Sequence, residues 1–309
     1  MSGPDRCAQG RTNAEEEAPR TQNDEVRTHR VSNVPTTTLN NGVTMPQLGF
    51  GVWQVPADEA ATAVTTALES GYRSIDTAAA YANEEGVGRA IAQSGLPRDE
   101  LFITTKLWNS DQGYDTALRA FDASLAKLGL DFVDLYLIHW PMPDIDKYED
   151  SWRAFEKIYA DGRARAIGVS NFQPTHLNRL IQLGGTVPAV NQIELHPRLQ
   201  QSVPRAFHAD HGIATEAWSP LGQGGDLLSD PTLGEIAGSH GKTVAQVVLR
   251  WHLQLGNVVI PKSVTPSRVR ENIDVFDFEL SGEDMARIAE LNADVRIGPD
   301  PDTMNWLGD

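Results

Sequence analysis

Asp76, Tyr81, Lys106 and His139 are four polar residues spread over more than sixty positions. Three of them close short apolar runs at 72–76, 101–106 and 133–139, and Tyr81 follows in the loop after the first. Groups at the C-terminal ends of successive parallel strands meet at the open mouth of a barrel. A tyrosine there is a candidate proton donor. A free phenol titrates near about 10, and burial alone would raise it further. A nearby cation is therefore expected to win, with Lys106 supplying it and Asp76 keeping that lysine charged. His139 is placed to orient a substrate oxygen. The set suits an alkoxide that forms when a carbonyl accepts a hydride. The plainer reading is a buried Asp76–Lys106 ion pair with no catalytic part, but four such residues at the ends of three successive strands are hard to assign to structure alone.

Further strand ends carry related chemistry. Trp53, Trp108 and Trp140 would line an apolar, water-poor substrate pocket, although each taken singly is ordinary packing. Ser170, Asn171 and Gln192 are suited to pin a carboxamide while Trp218 stacks on an aromatic ring. Asn171 reads equally as a helix cap, and Gln192 as lumen packing. Lys262 and Arg268 flank a hydroxyl-rich turn that leads into a helix, a phosphate site by charge and by free backbone N–H groups; alone, the segment would pass for a solvated turn. His208 and His211 are read as surface residues, and no metal site is expected. A hydrolase built on Asp76 and Glu194 would leave Tyr81, Lys106 and the Lys262/Arg268 turn without a task.

The elements that must position these groups alternate. Strand-like runs at 48–52, 72–76, 101–106, 133–139, 166–170, 190–194, 214–218 and 258–261 are separated by helical periodicity at 58–70, 83–94, 113–128, 148–161, 174–183, 203–211 and 244–254. Further helices are expected at 267–273 and 281–291, the latter opened by Ser281 with Asp284 three residues on. Eight such units in about 250 residues predict an α/β fold, a closed (β/α)8 TIM barrel. An open doubly wound sheet is the competitor. It loses ground because the first turn, Gly49-Phe50-Gly51-Val52-Trp53, lacks the third glycine of a dinucleotide fingerprint. Asn40-Asn41-Gly42 between two short extended runs predicts a β-hairpin cap. Residues 1–33 are expected to be a disordered leader and 34–309 a single catalytic domain.

Composition sets bounds. The 309 residues carry a formal charge of -16, from 42 acidic and 26 basic side chains. A field of that sign argues against nucleic acid or an anionic membrane as partner, though not against a local basic pocket. The lone cysteine, Cys7, permits no intrachain disulfide and fits a cytoplasmic setting. No run approaches about 18 apolar residues, so no spanning helix is expected.

Several ordered motifs resemble the aldo-keto reductase superfamily, in particular its bacterial branch that includes the 2,5-diketo-gluconate reductases. They are Gly71-Tyr72-Arg73-Ser74-Ile75-Asp76-Thr77-Ala78 with Tyr81, Asn83-Glu84 and Val87-Gly88; Ala166-Ile167-Gly168-Val169-Ser170-Asn171-Phe172; and Ile260-Pro261-Lys262-Ser263 with Arg268, Glu271 and Asn272. Leu137-Ile138-His139-Trp140-Pro141 and Asn191-Gln192 also fit. The resemblance implies NADPH-dependent reduction of a small-molecule carbonyl, with Asp76, Tyr81, Lys106 and His139 as catalytic tetrad and Tyr81 as the acid. It implies Ser170, Asn171 and Gln192 on the nicotinamide carboxamide and Trp218 on its ring, where many members have Tyr. Ser219 and Leu221 would line the pyrophosphate stretch, Lys262, Ser263 and Arg268 would grip the 2′-phosphate, and Glu271 and Asn272 would meet the adenine. Trp53, Trp108 and Trp140 would line the substrate pocket, and the state expected is a monomer. Specificity is expected in the loops at 142–150, 222–231 and 295–309, the last lying over the active site. A rival of another class is an NADPH-binding barrel that acts as a redox sensor with negligible turnover.

Overall fold

The computed structural model describes residues 34–308; the leader expected at 1–33 lies outside the described residues. A hairpin of β1 (Thr36–Thr38) and β2 (Thr44–Pro46) comes first. There follow β3 (Phe50–Gly51), α1 (Ala60–Glu69), β4 (Ser74–Asp76), α2 (Glu84–Gln93), β5 (Phe102–Leu107), α3 (Tyr114–Leu128), β6 (Val133–Ile138), α4 (Tyr148–Ala160), β7 (Ala164–Ser170), α5 (Pro174–Gln182), β8 (Val190–Glu194), α6 (Ser202–His211) and β9 (Ala214–Trp218). The chain ends with α7 (Pro231–His240), α8 (Val244–Gln254), β10 (Val258–Val259), α9 (Pro266–Ile273) and α10 (Gly282–Ala289).

Strands β3 to β10 pair in chain order, each parallel to the next. The first and last edges meet through a parallel bridge between Leu48 and Val259. Gly49 N donates to Val259 O at 2.9 Å, and Val259 N to Gln47 O at 2.9 Å. That seam removes both free edges, and the fold is the (β/α)8 barrel the alternation predicts.

The period of two along each strand sorts side chains to two cores. Ile103, Tyr136, Ile138, Ile167, Val169 and Ile193 point outward, into the main apolar cluster with the helices. Tyr136 stacks on Phe155 of α4 with ring centroids 4.3 Å apart, sealing strand to helix. Phe102, Leu135, Leu137, Ala166, Val190 and Val258 form a second cluster in the barrel interior. Leu39 and Met45 of the hairpin join it, so β1–β2 plugs the end where the strands begin. The two asparagines of the turn answer backbone carbonyls there: Asn40 Nδ2 reaches Pro188 O at 3.1 Å and Asn41 Nδ2 reaches Arg165 O at 2.9 Å. The apolar plug leaves the opposite end as the open mouth.

Two local features differ from or sharpen the expectations. Helix α7 forms where the sequence shows no clear helical period, because Gly234 and Gly238 dilute that period and lower its intrinsic propensity. Its start signal was present: the Asp230 carboxylate accepts from Thr232 N and Leu233 N ahead of Pro231. Burial of Leu233, Ile236 and Ala237 then offsets the glycine cost of about 1 kcal/mol each. At α10 the expected cap forms in full. Ser281 Oγ accepts from Asp284 N, and Asp284 Oδ2 accepts from Ser281 N at 3.0 Å. Among the described residues no helix is long and apolar enough to cross a membrane.

Candidate active site

Strand β4 ends on Asp76, β5 carries Lys106 as its penultimate residue, and β6 is followed at once by His139. Tyr81 closes a short 3-10 turn, Ala79–Tyr81, held by Ala82 in the left-handed region at φ 53°. The four meet at the mouth. Lys106 Nζ, fully buried, donates to Asp76 Oδ1 at 2.6 Å, to Thr77 O at 2.9 Å and to Tyr81 Oη at 3.3 Å. Asn83 fixes the turn that carries Tyr81: its Oδ1 accepts from Thr77 Oγ1 at 2.8 Å, and its Nδ2 donates to Val52 O and Val55 O.

Desolvation is the largest influence on Tyr81, Lys106 and His139 alike. Burial pushes the Tyr81 phenol up, the Lys106 charge pulls it down and Asp76 pushes it up again; the balance stays above the ordinary tyrosine value. The expectation that the cation would outweigh burial is thereby corrected: desolvation wins, and the phenol keeps its proton at neutrality. Burial works against the Lys106 ammonium, but Asp76 and Tyr81 together more than offset it, and the lysine stays charged. Burial, then the Lys106 charge, holds His139 well below its ordinary value, so its imidazole is neutral. Edge contacts from Trp108 at 5.2 Å and Tyr81 at 5.7 Å between centroids fix the ring.

A cavity of about 1380 Å³ opens over this cluster. Asp76, Tyr81, His139, Trp53, Trp108, Trp140, Ser170, Asn171, Gln192, Trp218, Ser219, Leu221, Lys262, Ser263, Arg268, Glu271 and Asn272 all line it, so the structure brings the predicted site residues together. Lys106 lies just beneath, behind Tyr81 and Asp76. Trp53 stands 40% exposed on the rim, while Trp140 is buried against Met142 and Met304.

The carboxamide-binding candidates already bond to one another. Asn171 Nδ2 donates to His139 O and Ser170 Oγ, and Asn171 Oδ1 accepts from Trp218 Nε1 at 2.8 Å. A tyrosine at 218 would offer no ring N–H for that bond. Asn171 is not the cap of α5; Gln173 is, immediately before Pro174. Gln192 is not inert packing either, since its Nε2 bridges Asp76 Oδ2 at 2.8 Å and Glu216 Oε2 at 2.9 Å.

Other residues do not stand where the sequence pattern suggests. Glu194, considered above as a partner for Asp76, turns away from it: its carboxylate accepts from Ile297 N at 2.7 Å, Gly298 N at 2.8 Å and His196 Nε2 at 2.9 Å. Burial opposes the charge, and these donors overcome it to hold the carboxyl below its ordinary value. The clasp draws the C-terminal segment across the mouth. A Cβ on Gly298 would stand 2.5 Å from the Trp218 ring, so only glycine lets that backbone lie so close. Further along, Trp108 Nε1 donates to Leu307 O at 2.7 Å and Asn109 Nδ2 to Trp306 O at 2.8 Å. His208 is also not a surface residue. It is fully buried between Asn191 Nδ2 and Thr215 Oγ1, each 2.9 Å away, and burial pushes it down to about 4. Glu216 did leave a signal in the sequence, a lone acid inside the strand-like run Ala214-Thr215-Glu216-Ala217-Trp218.

Comparison with known proteins agrees with this geometry. Residues 45–293 match the model of the aldo/keto reductase family. The chain is 57% identical over 270 residues to a glyoxal reductase of Bacillus subtilis, covering 87% of this chain and 97% of that one. It is 54% identical over 265 residues to the methylglyoxal reductase DkgA of Escherichia coli, covering 85% and 96%. Among solved structures, a variant of Gox0644 in complex with NADPH superposes with TM-score 0.85 at 50% identity, covering 88% of this chain and 99% of that one. A match over most of the barrel, at this identity and with the signature residues gathered in one mouth, means that the chain belongs to the aldo/keto reductase family.

Proposed function

We propose that the protein is an NADPH-dependent reductase of small aldehydes and ketones, with Tyr81 as the acid that protonates the carbonyl oxygen. One observation carries the reading: Tyr81 Oη stands 3.3 Å from the Lys106 ammonium, in the same cavity that Lys262 and Arg268 line at its other end.

The residues present fit the dinucleotide. In a chain of charge -16, Lys262 and Arg268 are exposed and, among the described residues, have no carboxylate within ion-pair distance. They flank the start of α9, whose first backbone N–H groups add to the attraction for a phosphate. Ser263 joins them there, and Glu271 and Asn272 stand one to two turns into α9 for the adenine. Ser219 and Leu221 line the stretch between the two ends, and Ser170, Asn171 and Gln192 with Trp218 surround the place for the nicotinamide.

Bound NADPH supplies the hydride. The protein supplies the rest. Neutral His139 orients the carbonyl oxygen without competing for the proton. Tyr81 holds its proton until the oxygen begins to carry alkoxide charge, then transfers it, and Lys106 stabilises the phenolate left behind. Asp76 keeps Lys106 charged and in place. Trp53, Trp108, Trp140 and the C-terminal segment exclude water, which strengthens each of these interactions.

The relatives named glyoxal and methylglyoxal reductases make small dicarbonyls the first substrates to try. The test is NADPH absorbance on mixing with methylglyoxal. Steady loss is expected. A sensor with negligible turnover would bind NADPH and leave the absorbance unchanged across a panel of aldehydes and ketones.

A further inference from the structure

Glu216 has no part in the reading above, yet it touches the site from below. Strand β9 sets it in register with Gln192 of β8 and with Val258 of β10. It is fully buried in the lumen. Gln192 Nε2 gives one hydrogen bond to Glu216 Oε2 at 2.9 Å and one to Asp76 Oδ2 at 2.8 Å. Asp76 Oδ1 receives Lys106, and Lys106 reaches Tyr81. A continuous polar chain therefore runs from Glu216 through Gln192, Asp76 and Lys106 to the phenol. Glu216 Oε1 is buried with no hydrogen-bond partner among the described residues. An oxygen left so, in an interior this buried, favours a carboxyl that carries its own proton.

We infer that Glu216 is a positioning residue of the reduction site, which acts through Gln192 and Asp76 and, when ionised, holds the proton on Tyr81. The inference rests on the reading of Tyr81 as the acid. It differs from the Asp76–Glu194 pair considered from sequence: the second carboxylate beside Asp76 is Glu216, and it meets no substrate.

The signs follow from the neighbours. The charged and titratable groups that bear on Glu216 are Asp76 on β4 and Lys106 on β5, with Tyr81 beyond them. Gln192 and Val258, its neighbours on β8 and β10, bring no charge. Burial first, then the Asp76 charge, pushes the Glu216 carboxyl up to about 8. It is thus protonated at neutrality and ionised in mild alkali. Once ionised it makes phenolate harder to form at Tyr81 and keeps Lys106 charged. The two titrations are linked, and each proton lost makes the next harder to lose. The charge extends reduction toward high pH and resists the reverse reaction, in which Tyr81 must accept a proton.

Glu216→Gln keeps the shape and removes the charge. In the wild type, kcat/KM for methylglyoxal reduction should fall at high pH as Tyr81 ionises. In the variant that alkaline limb should move down by about half a pH unit or more. A merely structural role would lower the profile without moving the limb. Melting gives an independent readout. Native Glu216 keeps a proton that the unfolded chain releases near its ordinary value, so wild-type stability falls as pH rises from about 4.5 to about 8. The melting temperature of Glu216→Gln should gain on the wild type across that window. If Glu216→Gln does not fold, Glu216→Met removes the same charge and is read the same way. Coincident alkaline limbs with wild-type turnover intact would overturn the inference alone. Failure of the wild type to reduce any carbonyl would sink the reading of Tyr81 first, and this inference with it.

Discussion

Two buried aspartates, Asp134 at one end of the barrel and Asp76 at the other, solve the same problem differently. Asp134 near the start of β6 is fully buried, and both its oxygens are answered: Arg98 at 2.7 Å and Ile103 N at 2.9 Å on Oδ2, Arg165 at 2.8 Å on Oδ1. Both arginines are partly exposed, so the buried carboxylate is neutralised by cations that keep contact with solvent. Asp76 at the mouth also has a cation and an amide, but its neighbours are unfinished. His139 Nδ1 and Glu216 Oε1 are buried without partners among the described residues, and Tyr81 faces an open cavity. The same residue type closes one end and keeps the other ready to exchange protons. What separates them is the surroundings: Asp134 is neutralised by two arginines that reach solvent, whereas Asp76 has one buried lysine, shares Gln192 with a second buried carboxyl, and borders an open cavity.

Substitutions can break that contrast. The largest effect is expected at the mouth. Lys106→Met should lower kcat/KM by about a thousandfold, and also cost about 3 kcal/mol of stability because Asp76 is left buried without its cation. Steady-state kinetics and thermal melts check both. At the other end, Asp134→Asn should cost about 2 kcal/mol, discounted because both arginines can turn to water, and leave the kinetics of the folded enzyme nearly unchanged. A matching loss of activity would mean that the two ends are coupled. The smallest effect is expected at the distal part of the cavity. Arg268→Ala should weaken NADPH by about tenfold and spare NADH, as fluorescence titration with each cofactor would show. Equal loss for both would remove the 2′-phosphate from that place.

Much of this was legible in the sequence. Asp76, Lys106 and His139 close apolar runs, and Tyr81 follows one of them, so their convergence needed only the alternation of strands and helices. The hairpin was marked by Asn40-Asn41-Gly42 and the last helix by Ser281 and Asp284. Other features depended on contacts between distant segments. The turning of Glu194 toward Ile297 and Gly298 spans about a hundred positions and leaves no local period. His208 lies on a helix with exposed neighbours, and only the approach of Asn191 and Thr215 shows that it is buried. Tyr81 shows a different limit. Its partners could be named, but whether burial or Lys106 decides its proton depends on how much water the folded mouth retains.

The central claim is that the Tyr81 hydroxyl delivers the proton in carbonyl reduction. Turnover of methylglyoxal by Tyr81→Phe, measured beside NADPH binding by the same protein, tests it most directly. The account predicts kcat reduced by about a thousandfold or more with NADPH affinity nearly unchanged. Turnover close to that of the wild type would contradict it.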